Sequence, residues 1–232
     1  MADFASSRQL RVALFPSFMY VKTPSGELAG VAVELARALG ARLGIEAVLC
    51  EFPAPPQVVD SLATGACDVA FLGIDPARAA DVDFARPLMR ADLTFLVPAA
   101  SAALTIKDAD RPGARIAVVR NHAMDTALRG KLAHAEKIYA DTPDAAFELL
   151  LHGKVDICAG IRPGLIAYAA RLPGSRVLDD RYASNTIALA VCKGQAERLA
   201  RLDDFTREAK ASGLAQRALA NAGLHGVEVP AQ

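Results

Sequence analysis

One succession of elements is written twice along this chain, and that repetition restricts the fold more than any single residue does. "LRVAL" (10–14) reads as a strand, and "GVAVELARALGARLG" (30–44) as a helix with Val31, Leu35 and Leu39 on one face. "EAVLCEF" (46–52) is a strand, "QVVDSLATG" (57–65) a helix closed by Gly65, and "DVAFLG" (68–73) a strand again. The series restarts with "ARIAVV" (114–119), the helical pattern "HAMDTALRGKLA" (122–133), "AEKIYA" (135–140), "PDAAFELLLHG" (143–153) and "VDICAG" (155–160). Each βαβαβ unit enters its third strand by the same step, Gly65-Ala66-Cys67-Asp68-Val69 and Gly153-Lys154-Val155-Asp156-Ile157. Parallel strands need helical crossovers, so the expected class is α/β, with doubly wound, mostly parallel sheets and helices on both faces.

Two extended segments, near 91–98 and 186–193, are expected to carry the chain between the units as hinge strands. The spacing predicts a first lobe over 1–95, a second over 96–189, and a return to the first over 190–232. That return reads as helical from Gln195 to about Asn221 with a break at Gly213. A cleft between the lobes is then the expected ligand site, because ligands of open α/β sheets sit where the carboxyl ends of strands meet helix N-termini.

Composition removes several alternatives. Lys and Arg total 26 and Asp and Glu total 26, without a long run of either sign, which argues against a nucleic-acid partner. Although 53% of residues are apolar, no uncharged stretch approaches the roughly 18–20 residues that cross a bilayer. The printed N-terminus, "MADFASSRQLRVALF", lacks a basic region followed by an apolar core, so no secretory signal is read there and a cytoplasmic location stays open. Four cysteines (Cys50, Cys67, Cys158, Cys192) show no CxxC spacing and read as buried thiols. Nothing predicts a metal or a cofactor: Walker A, HExxH and GxSxG patterns are all missing.

Three strand ends carry candidate chemistry: Gly73–Arg78, Asn121–Met124 and Gly160–Arg162. In "FLGIDPAR" an arginine follows a buried strand within one turn. Asp75 reads as an N-cap with Pro76 at the first helical position, and Arg78 as either a solvated residue or an anion clamp. The position of that turn at a strand end favours the clamp.

Taken together, "GELAGVAVELARALGARLGIEAVL", "SLATGACDVAFLGIDPARAADVDFARPL", "ARIAVVRNHAMDTAL", "LLLHGKVDICAG" and "EAKASGLAQRALANAGL" resemble the type 2 periplasmic solute-binding proteins of ABC transporters, in the polar amino-acid-binding family. The likeness runs over about residues 9–224. It implies a two-lobed type II fold, capture of a small molecule without catalysis, a monomeric chain with an ABC permease as partner, and a periplasmic location. It also implies that Arg78 grips a ligand carboxylate and that N–H groups of Asn121, His122, Ala123 and Met124 form a second grip. Gly73, Ile74, Asp75, Phe15 and Phe18 complete the first lobe's side of the expected site, with Ile161 and Arg162 on the second.

Departures from the family pattern bear on the ligand. Ile161 stands where an aspartate usually holds the ligand's ammonium, and an ammonium there would be buried without a partner, at a cost of several kcal/mol. Pro55 replaces a tryptophan that often covers the ligand, and the chain has no Trp. A small organic carboxylate is therefore expected in preference to an α-amino acid. An amino-acid-binding protein is the alternative within the family. A cyclohexadienyl dehydratase-like enzyme is the alternative in another class, but the "AGIR" strand end has no Asp or Glu to act as the acid such chemistry needs. Arg162 reads as a second charge partner or as the surface start of a helix, and His122 as a polar filler or a ligand contact.

Overall fold

The structure is a computed structural model, which describes Phe4 and residues 9–231. In chain order the elements are β1 (Gln9–Leu14), β2 (Val21–Lys22), β3 (Leu28–Ala29), α1 (Val31–Leu43), β4 (Glu46–Glu51), α2 (Pro55–Ala63), β5 (Val69–Gly73), β6 (Val82–Phe84), β7 (Met89–Val97) and α3 (Ile106–Ala109). They continue as β8 (Arg115–Val119), α4 (Ala123–Ala127), β9 (Glu136–Ala140), α5 (Pro143–Leu151), β10 (Ile157–Ile161), α6 (Arg162–Ala169), β11 (Arg176–Val177), β12 (Ala183–Cys192), α7 (Ala196–Ala211), α8 (Leu214–Asn221) and β13 (Val227–Glu228).

The chain divides into two units. The first comprises residues 1–90, 186–224 and 228–232, the second 91–185 and 225–227. Both crossings fall inside strands, β7 and β12, a few residues before the predicted boundaries, because the strands continue unbroken through them. A further crossing was not expected: the short segment 225–227 belongs to the second unit, although the whole of 190–232 reads in sequence as a return to the first.

Each unit is built on one plan. In the first, β1 lies between β4 and β5 and is parallel to both, and β12 closes the far side antiparallel to β5. In the second, β8 lies between β9 and β10 and is parallel to both, and β7 runs antiparallel to β10. β5 is buried along its whole length, as a strand covered by helices on both faces must be. The helix α1 buries Val31, Leu35 and Leu39, the stripe read from the sequence. In the second unit, Phe95, Phe147, Ile116, Val118 and Leu165 are at most 2% exposed and share one apolar cluster.

The repeated Gly-to-Asp step acquires its physical meaning here. Gly65 and Gly153 both take left-handed φ values, 73° and 64°, which turn the chain from helix into strand. The aspartate that follows then grips an arginine at the start of its unit's first strand. Asp68 accepts from the Arg11 backbone N–H (3.0 Å), Nε (2.9 Å) and Nη2 (2.9 Å), and Asp156 accepts from the Arg115 backbone N–H (2.9 Å), Nε (3.1 Å) and Nη2 (3.1 Å). Asp68 and Asp156 also donate their own N–H to the Arg11 and Arg115 carbonyls, both at 2.9 Å. Each unit thus locks its first strand to its third by the same bracket.

One helix is shorter than its pattern. "HAMDTALRGKLA" predicts a helix over 122–133, but α4 covers only Ala123–Ala127. The Asp110 carboxylate accepts the N–H groups of Ala133 (2.8 Å), His134 (2.9 Å) and Ala135 (2.8 Å), and so holds the following segment in a non-helical path into β9. A partner distant in sequence won over local periodicity.

Candidate functional site

Four of the first unit's candidate residues, Gly73, Ile74, Asp75 and Arg78, lie at the C-terminal end of β5. Gly73 ends the strand, and the Ile74 N–H donates to the Thr186 carbonyl (2.7 Å), which ties the turn to β12. Asp75 is extended and accepts the Ala77 N–H at 2.9 Å, so it is the N-cap read from the sequence. Pro76–Arg78 forms a single 3-10 turn rather than an α-helix.

That turn folds the Arg78 side chain back so that Nη1 donates to the Gly73 carbonyl at 2.8 Å. Arg78 has no carboxylate within ion-pair distance among the described residues. Burial lowers its pKa, and the Asp75 charge opposes that shift. A guanidinium remains charged at neutral pH regardless, and one hydrogen bond leaves most of its five N–H donors unspent. The result is a half-buried cation with open donors at a strand end. Ile74 beside it is 40% exposed, Phe18 is half-buried, and Phe15 packs against the apolar cluster of Ala13, Val58 and Leu72.

Within the second unit, the β8 end carries Asn121 to Met124. Asn121 takes a left-handed φ of 59°, a conformation that asparagine tolerates better than most residues. Its N–H points at Asp125 Oδ2 (3.4 Å). His122 is the extended N-cap residue of α4 and is buried together with Met124. Asp125, 6% exposed, also accepts from Lys137 Nζ (3.2 Å) and the Tyr139 hydroxyl (3.1 Å). The helix start therefore holds an internal carboxylate, which the sequence reading missed. Asp125 lies within the quoted helix pattern, but its partners sit on the next strand.

Arg162 is committed to its own unit. Nη1 donates to the Leu178 carbonyl (2.9 Å), Nη2 to the carbonyls of Asp179 (2.9 Å) and Asp180 (3.2 Å), and the group stands 3.7 Å from Asp92. Its side chain is 15% exposed. Asp92 is shared in turn with Arg181 (3.4 Å) and Ser184 (3.2 Å). Ile161, one residue earlier, is the extended N-cap of α6 and pairs with Leu93. No group of three or more His, Cys, Asp or Glu side chains among the described residues is placed to hold a metal.

This geometry has relatives. The family model of the bacterial extracellular solute-binding proteins, family 3, matches residues 10–221. The chain belongs to that family. Its sequence is similar to the virulence sensor protein BvgS of Bordetella bronchiseptica, 28% identical over an alignment of 200 residues that covers 82% of this chain and 16% of that protein. The family 3 chain thus spans less than a fifth of this curated relative. Its fold is similar to that of a histidine kinase sensor domain with similarity to periplasmic binding proteins, at TM-score 0.82 and 23% identity over 96% of this chain and 98% of that one. The ancestral amino acid-binding protein AncCDT-1, a precursor of cyclohexadienyl dehydratase, is also similar in fold, at TM-score 0.81 and 23% identity over 94% and 96% of the two chains. The predicted family and fold class are those found. Among the described residues no helix is long and apolar enough to cross a membrane.

Proposed function

We propose that this family 3 protein captures a small organic carboxylate without chemical turnover and uses the capture for sensing or for uptake through an ABC permease. The observation that carries this reading is Arg78: a half-buried guanidinium, fixed by the Gly73 carbonyl and lacking a protein carboxylate among the described residues, is preorganised for an anion. In the second unit Ile161 ends β10 and Arg162 is held by three carbonyls beside Asp92, so neither of these two positions supplies a carboxylate for a ligand ammonium. The exposed Ile74 and half-buried Phe18 suit the apolar body of such a ligand. Similarity to a virulence sensor protein and to a histidine kinase sensor domain supports sensing as the use of the bound state.

Binding of an α-amino acid is the second reading, supported by the likeness to an ancestral amino acid-binding protein. Asp75 would then hold the ammonium with the oxygen that does not cap Ala77. A thermal-shift screen separates the two. Small carboxylates, aromatic and dicarboxylic ones included, are expected to raise the melting temperature, and the twenty amino acids to do little. The difference corresponds to about 2–4 kcal/mol, the cost of an unpartnered buried ammonium. A single amino acid that binds at micromolar affinity while carboxylates stay silent would sink the carboxylate reading. Steady product formation from prephenate would instead assign the dehydratase chemistry.

A further inference from the structure

Three of the four cysteines surround one small apolar cluster of the first unit. Cys67 lies inside it with Ala13, Val58 and Leu62, and Cys50 and Cys192 pack against it. Cys67 is 3% exposed, whereas Cys50 and Cys192 are half-buried. Two of these thiols meet. Cys50 stands on β4 beside Ala13 of β1, and the Cys67 thiol is within hydrogen-bond reach of the Cys50 thiol and the Ser61 hydroxyl. The two cysteines differ in how firmly they are held. The Cys67 N–H donates to the Ser61 carbonyl at 2.9 Å, and the next residue is Asp68, gripped by Arg11. Cys50 belongs to the outer strand of the sheet, which pairs with β1 on one side only among the described residues. One sulfur is therefore fixed and hidden, and the other can shift and be reached from solvent.

We propose that Cys50 and Cys67 are a redox-sensitive pair that an organic disulfide oxidises to an intramolecular bridge, which staples β4 to the start of β5 and stabilises the first unit. Cys50, as its thiolate, bonds to one sulfur of the oxidant and expels the other as a thiolate. Cys67, as its thiolate, then bonds to Cys50 Sγ and expels the second oxidant thiolate. The two cysteine protons pass to the expelled thiolates, so one disulfide is reduced to two thiols while the protein pair is oxidised. Burial above all, with the neighbouring Cys50, holds the Cys67 thiol at about 11, so the second step is the slow one. A buried thiol closed to reagents in solvent still reacts with a sulfur already beside it. An S–S bond of about 2.05 Å requires the two sulfurs to draw together, and an outer strand bonded on one side gives way for that more easily than an inner one. The bridge closes a loop that contains the whole of α2, and this constraint on the unfolded chain is the source of the added stability.

The test holds the reduced full chain with oxidised glutathione at about pH 8, without denaturant, for the wild type, Cys50→Ser and Cys192→Ser. Intact mass and peptide mapping without reductant read the products. The wild type and Cys192→Ser are expected to lose the mass of two hydrogen atoms and to yield a peptide pair joined through Cys50 and Cys67. Cys50→Ser is expected to yield neither a bridge nor a glutathione adduct at Cys67. The bridged wild type is expected to melt about 3 °C or more above its reduced form, and dithiothreitol to reverse the rise. Glutathione retained on Cys50 without a bridge would overturn the proposal, as would a bridge made through Cys192 or an absence of oxidation short of unfolding. A bridged form that melts no higher than the reduced one would overturn it as well.

Discussion

Asp68→Ala is expected to be among the most destabilising single changes in the first unit, and its twin Asp156→Ala among the mild ones in the second. The two aspartates share a sequence step and a bracket, so burial is what separates them. The Asp68 side chain is 3% exposed and receives three bonds from Arg11 and a fourth from Arg198 Nη1 at 3.3 Å. Removing one partner of a buried ion pair costs about 3–5 kcal/mol, a large part of the 5–15 kcal/mol that holds a typical domain. The Asp156 side chain is 37% exposed and grips Arg115, which is as exposed as Arg11, whereas the buried Asp68 also holds Arg198, 11% exposed, so the loss at Asp156 is expected to be the smaller. Urea unfolding followed by circular dichroism compares the two directly. An Asp156→Ala loss equal to or above that of Asp68→Ala would refute the argument from burial.

The same comparison has a pH signature. Burial alone would raise the Asp68 pKa, but the Arg11 hydrogen bonds and the charges of Arg11 and Arg198 outweigh it and hold the group below the usual carboxylate range. A depressed carboxyl contributes stability that is fully present above its unfolded value, about 3.9, and is lost as pH falls through the folded value. The gap between wild type and Asp68→Ala is therefore expected to be constant from neutral pH down to about 4 and to close below it.

Further outcomes follow from the same geometry. Arg78→Ala is expected to cost about 2–5 kcal/mol of binding to whichever carboxylate the thermal-shift screen identifies, with circular dichroism unchanged, and Arg78→Lys to restore only part because a lysine offers no fork. Calorimetric titration of the variants measures this, and wild-type affinity in Arg78→Ala would remove Arg78 from the site. Arg162→Ala is expected to cost about 2–3 kcal/mol of stability and to open the 178–181 segment to limited proteolysis, since its guanidinium holds three carbonyls there. Burial pushes the Cys67 thiol up to about 11 and the Cys158 thiol up to about 12. Both are expected to react with a thiol reagent at neutral pH only on unfolding, and later than the half-buried Cys50 and Cys192, as peptide mapping would show.

Local pattern by itself determined the repeated βαβαβ order, the buried β5, the α1 stripe and the Asp75 cap, because each depends on neighbours within a few residues. The resemblance added the family and a reason to look at Arg78. Only the tertiary structure decided what the charged residues do. Arg11 and Arg115 read as ordinary strand residues until Asp68, 57 positions away, and Asp156, 41 away, are seen to grip them. Arg162 reads equally as a ligand contact or a surface residue, and carbonyls 16 to 18 positions downstream claim it. Likewise Asp110 ends a helix whose periodicity runs on, and 225–227 crosses to the second unit although its composition gives no sign of it. Hydrophobic periodicity is a local property and can be read along the chain. The partner of a long polar side chain is set by which distant backbone folds within about 3 Å of it, and no spacing in one sequence encodes that.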